Sequence, residues 1–227
     1  MYLKMFLILI LILQVSACGV HAQRQFEHPT YEQAYREKIV RLALYLEAPM
    51  QDNEQSQLIM QLWALQSQKY INQHRDFLVN TLSASLVDAE VPFDEIEIQE
   101  KDFKEACLGE VDDQGKAIQT QPLQGVIYLK GDLKALDETQ KQFKIKMQAE
   151  LKTCENQELL WQAQVEDEWD ADDPQVSSVI QSYQKELGTN ITPYIAPSFH
   201  AIRHLFDLLP YPKLISDTDI QEKIKLQ

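Results

Sequence analysis

Glycine is scarce, with six in 227 residues. That excludes the long glycine-rich loops that cradle phosphates. Basic charge is also short: 21 Lys and Arg stand against 35 Asp and Glu, a formal net charge of −14. Such a field repels phosphate backbones and anionic lipid heads, and no basic cluster offsets it, which argues against nucleic-acid binding. There are only three cysteines and no Cys-x-x-Cys spacing, which argues against a reactive redox pair. No Gly-x-Ser-x-Gly elbow exists, and Ser198, His200 and Asp207 sit too close along one helical stretch to make a catalytic triad by themselves. The apolar run Met5 to Leu13 is roughly half of the ~20 residues that a membrane-spanning helix needs.

What is present begins with that run. One positive charge, Lys4, precedes it, and small residues lead to a cysteine in Val15-Ser16-Ala17-Cys18. This reads as a signal peptide, residues 1–17, ending in a lipobox. The pattern resembles that of bacterial lipoproteins. The resemblance implies that Cys18 carries a diacylglyceryl thioether and an N-acyl chain such as palmitate. Several chains together make release from a membrane slow, at about 0.8 kcal/mol per buried methylene. Gly19 follows the cysteine, where an aspartate would mark retention in the inner membrane, so the expected location is the outer membrane facing the periplasm. The apolar fraction of 44% and charged fraction of 25% are those of a globular chain able to build a core.

Residues 18–29 read as a polar, lipidated tether. Thr30 opens a helix with Gln33 as its capping-box partner. Tyr31, Tyr35, Ile39, Leu42 and Leu46 recur every three or four residues, so residues 30–70 are expected to be an N-terminal helical segment. From residue 54 to 87 the apolar phase slips between Lys69 and Asn72, which fits one bent helix or two in series. Trp63 and Tyr70 flank that stripe, as core residues or as a partner surface.

After Pro92 the pattern changes. Glu95 to Ile98 alternates with period two, Lys101 to Cys107 reads as a short helical turn, and residues 109–122 read as a loop. Three clearer strands follow: Gly125 to Leu133, Phe143 to Leu151, and Trp161 to Glu166. The fold class expected is α+β, an antiparallel sheet of three to four strands with helices packed on one face. Asp173 and Pro174 start a helix that ends at Gly188, and a last helix or pair spans Asn190 to Leu209. Residues 71–212 then form an α/β domain, and 213–227 a charged tail.

With Cys18 lipidated, Cys107 and Cys154 remain as an even pair in an exported chain. They are expected to form a disulfide; two separate buried thiols are the other reading. His200 and His204, four residues apart, have metal-ligand spacing. Ala201 stands where a metalloprotease helix would carry glutamate, and a half-exposed structural pair accounts for them as well. Glu166 to Asp173 places six carboxylates in eight residues. It lacks the spacing and central glycine of a calcium loop and reads as a solvated acidic loop. No cofactor is called for.

The segments Tyr31–Ala34, Leu159–Trp161, Asp172–Pro174, Tyr194–Phe199 and Leu209–Leu214 resemble those of a family of uncharacterised bacterial lipoproteins. Residues 73–166 are also similar in layout to the small α/β domains of penicillin-binding-protein activator and curli-secretion lipoproteins and of the TolB N-terminal domain. These resemblances imply a membrane-anchored, non-enzymatic binding or assembly factor with an unknown envelope protein as partner. A metal-dependent enzyme using His200 and His204, and an oligomeric pore or scaffold subunit, are the alternatives.

Overall fold

The computed structural model describes residues 21–46, 54–81, 107–108, 122–137, 139 and 141–226. Six strands form one sheet: β1 (His21–Glu27), β2 (Arg41–Leu46), β3 (Leu78–Thr81), β4 (Gly125–Ala135), β5 (Gln142–Thr153) and β6 (Leu159–Asp170). Their spatial order is β1-β6-β5-β4-β2-β3. The expected antiparallel meander β4-β5-β6 is there, and its alternating residues keep register over most of each strand. The sheet as a whole is mixed, because β2 runs parallel to both β3 and β4. The fold is therefore α+β as expected, but the antiparallel sheet of three to four strands was too small and of the wrong kind.

Three strands escaped the pattern: β3 lies in the stretch 54–87 read as helix, and β1 and β2 escaped for opposite reasons. Every residue of β2, Arg41-Leu-Ala-Leu-Tyr-Leu46, is buried. A central parallel strand is covered on both faces, so it shows no alternation and cannot be told from a helix by periodicity. The helix expected from Thr30 is only a single π-helical turn, Tyr31–Tyr35. β1 is the reverse case. It lies within the stretch read as tether and is largely exposed. Its backbone pairs with β6 from His21↔Glu166 to Glu27↔Trp161, with a bulge between Arg24 and Phe26. Backbone hydrogen bonds, not apolar side chains, put it in the sheet.

The first α-helix, α1, spans Glu54–His74. It is one helix. It runs unbroken through the slip in apolar phase and ends at His74, short of the helical span expected to residue 87, because Asp76 takes a left-handed φ of 56° and Leu78 already belongs to β3. This helix supplies the crossover that two adjacent parallel strands require. Three more helices follow β6: α2 (Ser177–Leu187), α3 (Thr192–Phe206) and α4 (Asp217–Leu226). Asp173 accepts from the Gln175 N–H at 2.8 Å and caps the short 3-10 turn that leads into α2, and Gly188 ends α2 with φ 88°. The strand expected at Glu95–Ile98 and most of the turn at Lys101–Cys107 lie outside the described residues.

Helices α1 and α3 cover one face of the sheet. The core there joins Ile145, Met147 and Leu151 of β5 to Trp161 of β6, Leu42 and Leu44 of β2, Trp63 of α1 and Phe206 of α3. A second, smaller cluster forms from Ala43 and Tyr45 of β2 with Leu123, Val126 and Tyr128. These residues alternate with the first set along their strands, so they lie on the opposite face. Cys107 and Cys154 pack against this cluster and are joined by a disulfide with a Cα–Cα distance of 5.5 Å.

Candidate functional site

An open cleft of about 1320 Å³ lies at the end of β6. Its walls come from β1 (His21, Gln23), β5 (Gln142, Lys144), β6 (Glu166 to Asp170) and the turn through Asp172 and Asp173, with His200 of α3 closing one side. The acidic stretch expected to be a loop is largely strand, since β6 continues to Asp170. Alternation along that strand sends Glu166 and Glu168 to one face of the sheet and Asp167 and Trp169 to the other. The carboxylates are thus divided between two faces and do not converge.

Glu166 is paired with Lys144 at 2.8 Å across β5 and β6. The hydrogen bond from Lys144 holds the Glu166 carboxyl below the ordinary carboxylate range, against the opposing effect of burial. The same contact raises Lys144 above the usual lysine value. Asp173 does two jobs. One oxygen caps the turn at Gln175, and the other lies 2.7 Å from His200 Nε2. Its carboxyl is held below the usual range first by the Gln175 N–H and then by His200, with burial working the other way.

The two histidines do lie on one face of α3, and the side chain they share is an indole. Trp169 stacks on His200 with ring centroids 6.2 Å apart and an interplanar angle of 17°, and on His204 at 6.2 Å and 8°. Burial lowers the His204 pKa, as do Arg203 and His200 beside it. Among the described residues no three His, Cys, Asp or Glu side chains group in a way that could hold a metal ion. Asp173 was legible as a helix cap. Its contact with His200, 27 residues away, had no sequence signal, and neither did the role of Trp169.

The residues weighed as a nucleophile set are each engaged elsewhere. Ser198 is fully buried and accepts a hydrogen bond from Trp63 Nε1 at 2.9 Å. Asp207 accepts from Tyr70 Oη at 2.5 Å and pairs with Arg75 at 2.8 Å. Cys18 lies outside the described residues. No described helix is long and apolar enough to cross a membrane.

No protein-family model matches the chain, and no curated protein matches it. Solved structures are similar at low identity. A PelC dodecamer from Paraburkholderia phytofirmans is 8% identical with a TM-score of 0.47, over 86% of this chain and 100% of that one. A point variant of the same PelC is 6% identical with a TM-score of 0.44, over the same shares. A neuraminyllactose-binding hemagglutinin homolog from Helicobacter pylori is 11% identical with a TM-score of 0.31, over 84% of this chain and 93% of that one.

Proposed function

We propose that the protein is a membrane-anchored envelope lipoprotein. It is held on the outer membrane through lipid on Cys18, faces the periplasm, and acts as a non-enzymatic binding or assembly factor for another envelope component. The observation that carries the reading is the lipobox Val15-Ser16-Ala17-Cys18 behind a short apolar run. The Cys107–Cys154 bridge supports it, since disulfides persist in oxidising compartments. The site adds a second line of support. Ser198 is buried under Trp63, His200 is paired with Asp173, and Asp207 is paired with Arg75, so these side chains serve the fold.

The experiment is fractionation of cells expressing the full chain and its Cys18→Ala variant, with metabolic labelling by a radioactive fatty acid. The intact chain is expected in the outer-membrane fraction and labelled. The variant is expected unlabelled and released from that fraction. Unlabelled wild-type protein, or a variant that stays with the outer membrane, overturns the anchor.

A further inference from the structure

The last helix is amphipathic in the wrong direction. Lys223 of α4 is only 3% exposed, and its ammonium donates to the carbonyls of Asn72 and of Phe77, the latter at 3.0 Å. Asp219 and Glu222 reach Arg41 of β2 at 2.6 and 2.7 Å. Residues 219, 222 and 223 are spaced i, i+3, i+4, so one charged stripe docks the helix on the domain. The apolar residues point elsewhere. Ile220 is 37% exposed and Ile224 61%, and Ile215, just before the helix, is 60% exposed. Asp217, Ile220 and Ile224 follow the i, i+3, i+7 spacing of a second stripe, on the side away from the domain. A helix that spends its charges inward and its isoleucines outward has an apolar face to cover.

Charge says what covers it. The first turn of α4 is acidic and the last turn basic. Of these charges, Asp219 and Lys223 are used inside the domain, whereas Asp217 and Lys225 are exposed and have no ion-pair partner among the described residues. Two copies of α4 laid antiparallel would set Asp217 of each against Lys225 of the other. Gln221 would lie at the crossing, with Ile220 and Ile224 of each helix flanking it on the shared face. A parallel pair would set Asp217 against Asp217 and Lys225 against Lys225. The outward face is also electrically neutral, on a chain whose net charge of −14 makes two copies repel elsewhere. We propose that the outward face of α4 is a two-fold interface with a second copy of this chain, antiparallel and centred on Gln221. Such an interface is isologous, the commonest kind in homo-oligomers.

Cysteine substitution tests this in the full chain, in cells. Helices in contact have axes about 8–10 Å apart, which brings inner-face Cα atoms within disulfide reach. Gln221→Cys is therefore expected to give a reducible species of twice the chain mass, and Gln181→Cys, on the exposed surface of α2, is expected to give none. Adding Ile220→Asp and Ile224→Asp to Gln221→Cys is expected to remove the crosslink. In the Gln221→Cys background, Asp217→Lys alone and Lys225→Asp alone are each expected to reduce it several-fold. Together they are expected to restore it, which also shows that the singles still fold. A crosslink to a protein of another mass, no crosslink, or failure of the double reversal to restore it each overturns the proposal. Lipidation of Cys18 is read separately by the fatty-acid label, so the two proposals fail independently.

Discussion

Trp63 sits directly over Gly131. A methyl group at Gly131 would come within 2.8 Å of the Trp63 ring and 3.1 Å of Met147 Cγ. The same indole donates to Ser198 of α3 at 2.9 Å, so one side chain ties α1 to the sheet and to the neighbouring helix. The missing side chain in β4 is what lets α1 lie this close.

Gly131→Ala is expected to destabilise the protein by about 1–3 kcal/mol, the usual cost of overpacking a core. Trp63→Phe is expected to cost a similar amount, because it shrinks the ring and leaves the Ser198 hydroxyl buried without its donor. Thermal or urea unfolding measures both. A Gly131→Ala variant as stable as wild type would mean that the two elements can separate at no cost.

Reduction of the Cys107–Cys154 bridge is expected to lower the melting temperature. The cysteines are 47 residues apart. Closing a loop of that length is worth about 4 kcal/mol in the chain-entropy model. Cys154→Ser should match the reduced wild type, and reductant should have no further effect on it. Differential scanning with and without reductant checks this.

Asp173 gives a pH dependence at the acid end. Its carboxyl is depressed in the folded state by the Gln175 N–H and His200. A depressed acid stabilises the fold above its unfolded pKa, and that stability is lost as pH falls through the folded value. Asp173→Ala is expected to cost about 1 kcal/mol at neutral pH through the lost cap alone. It should also flatten the loss of stability below the ordinary carboxylate range, measured as unfolding midpoint against pH.

Lys223 acts at the alkaline end, and stability again rises with pH there. Burial lowers it from 10.5 to about 8, with Asp76 opposing. Between those values the unfolded chain binds the proton and the folded chain does not, so stability rises with pH across that window. Lys223→Met is expected to abolish the rise. A Lys223→Met curve that still climbs between pH 8 and 10.5 would place the titration on another group.

Legibility followed how many neighbours a residue needs to declare itself. In the meander β4-β5-β6, β5 and most of β6 were readable because each has one covered face and one wetter one, whereas β4 was read from its run of strand-forming residues, buried on both faces from Gly125 to Leu129. Ile145, Met147 and Ala149 are buried, and the alternating Lys144, Lys146 and Gln148 are exposed or half-buried. The start of α2 was readable because Asp173, Pro174 and Gly188 act on their own backbone. β2 was not, since burial from both sides erased its period. β1 was not, since its place in the sheet rests on the backbone of β6. At the site, the spacing of His200 and His204 was visible, but the Trp169 ring stacked on both was not. Nor was the orientation of α4, because Arg41 and the carbonyls of Asn72 and Phe77 lie far away in sequence.

The sequence by itself determined what depends on adjacent residues: the Asp173 cap and the Gly188 stop of α2, the alternation along the later strands and the sign of the charge. Only the tertiary structure decided what depends on distant ones. It set the parallel pairing of β2 with β3 and β4, the Asp173–His200 pair, and the inward charges and outward isoleucines of the last helix. The physical reason is that local periodicity records which face is covered, whereas a pairing between two segments is an energy that neither segment carries alone.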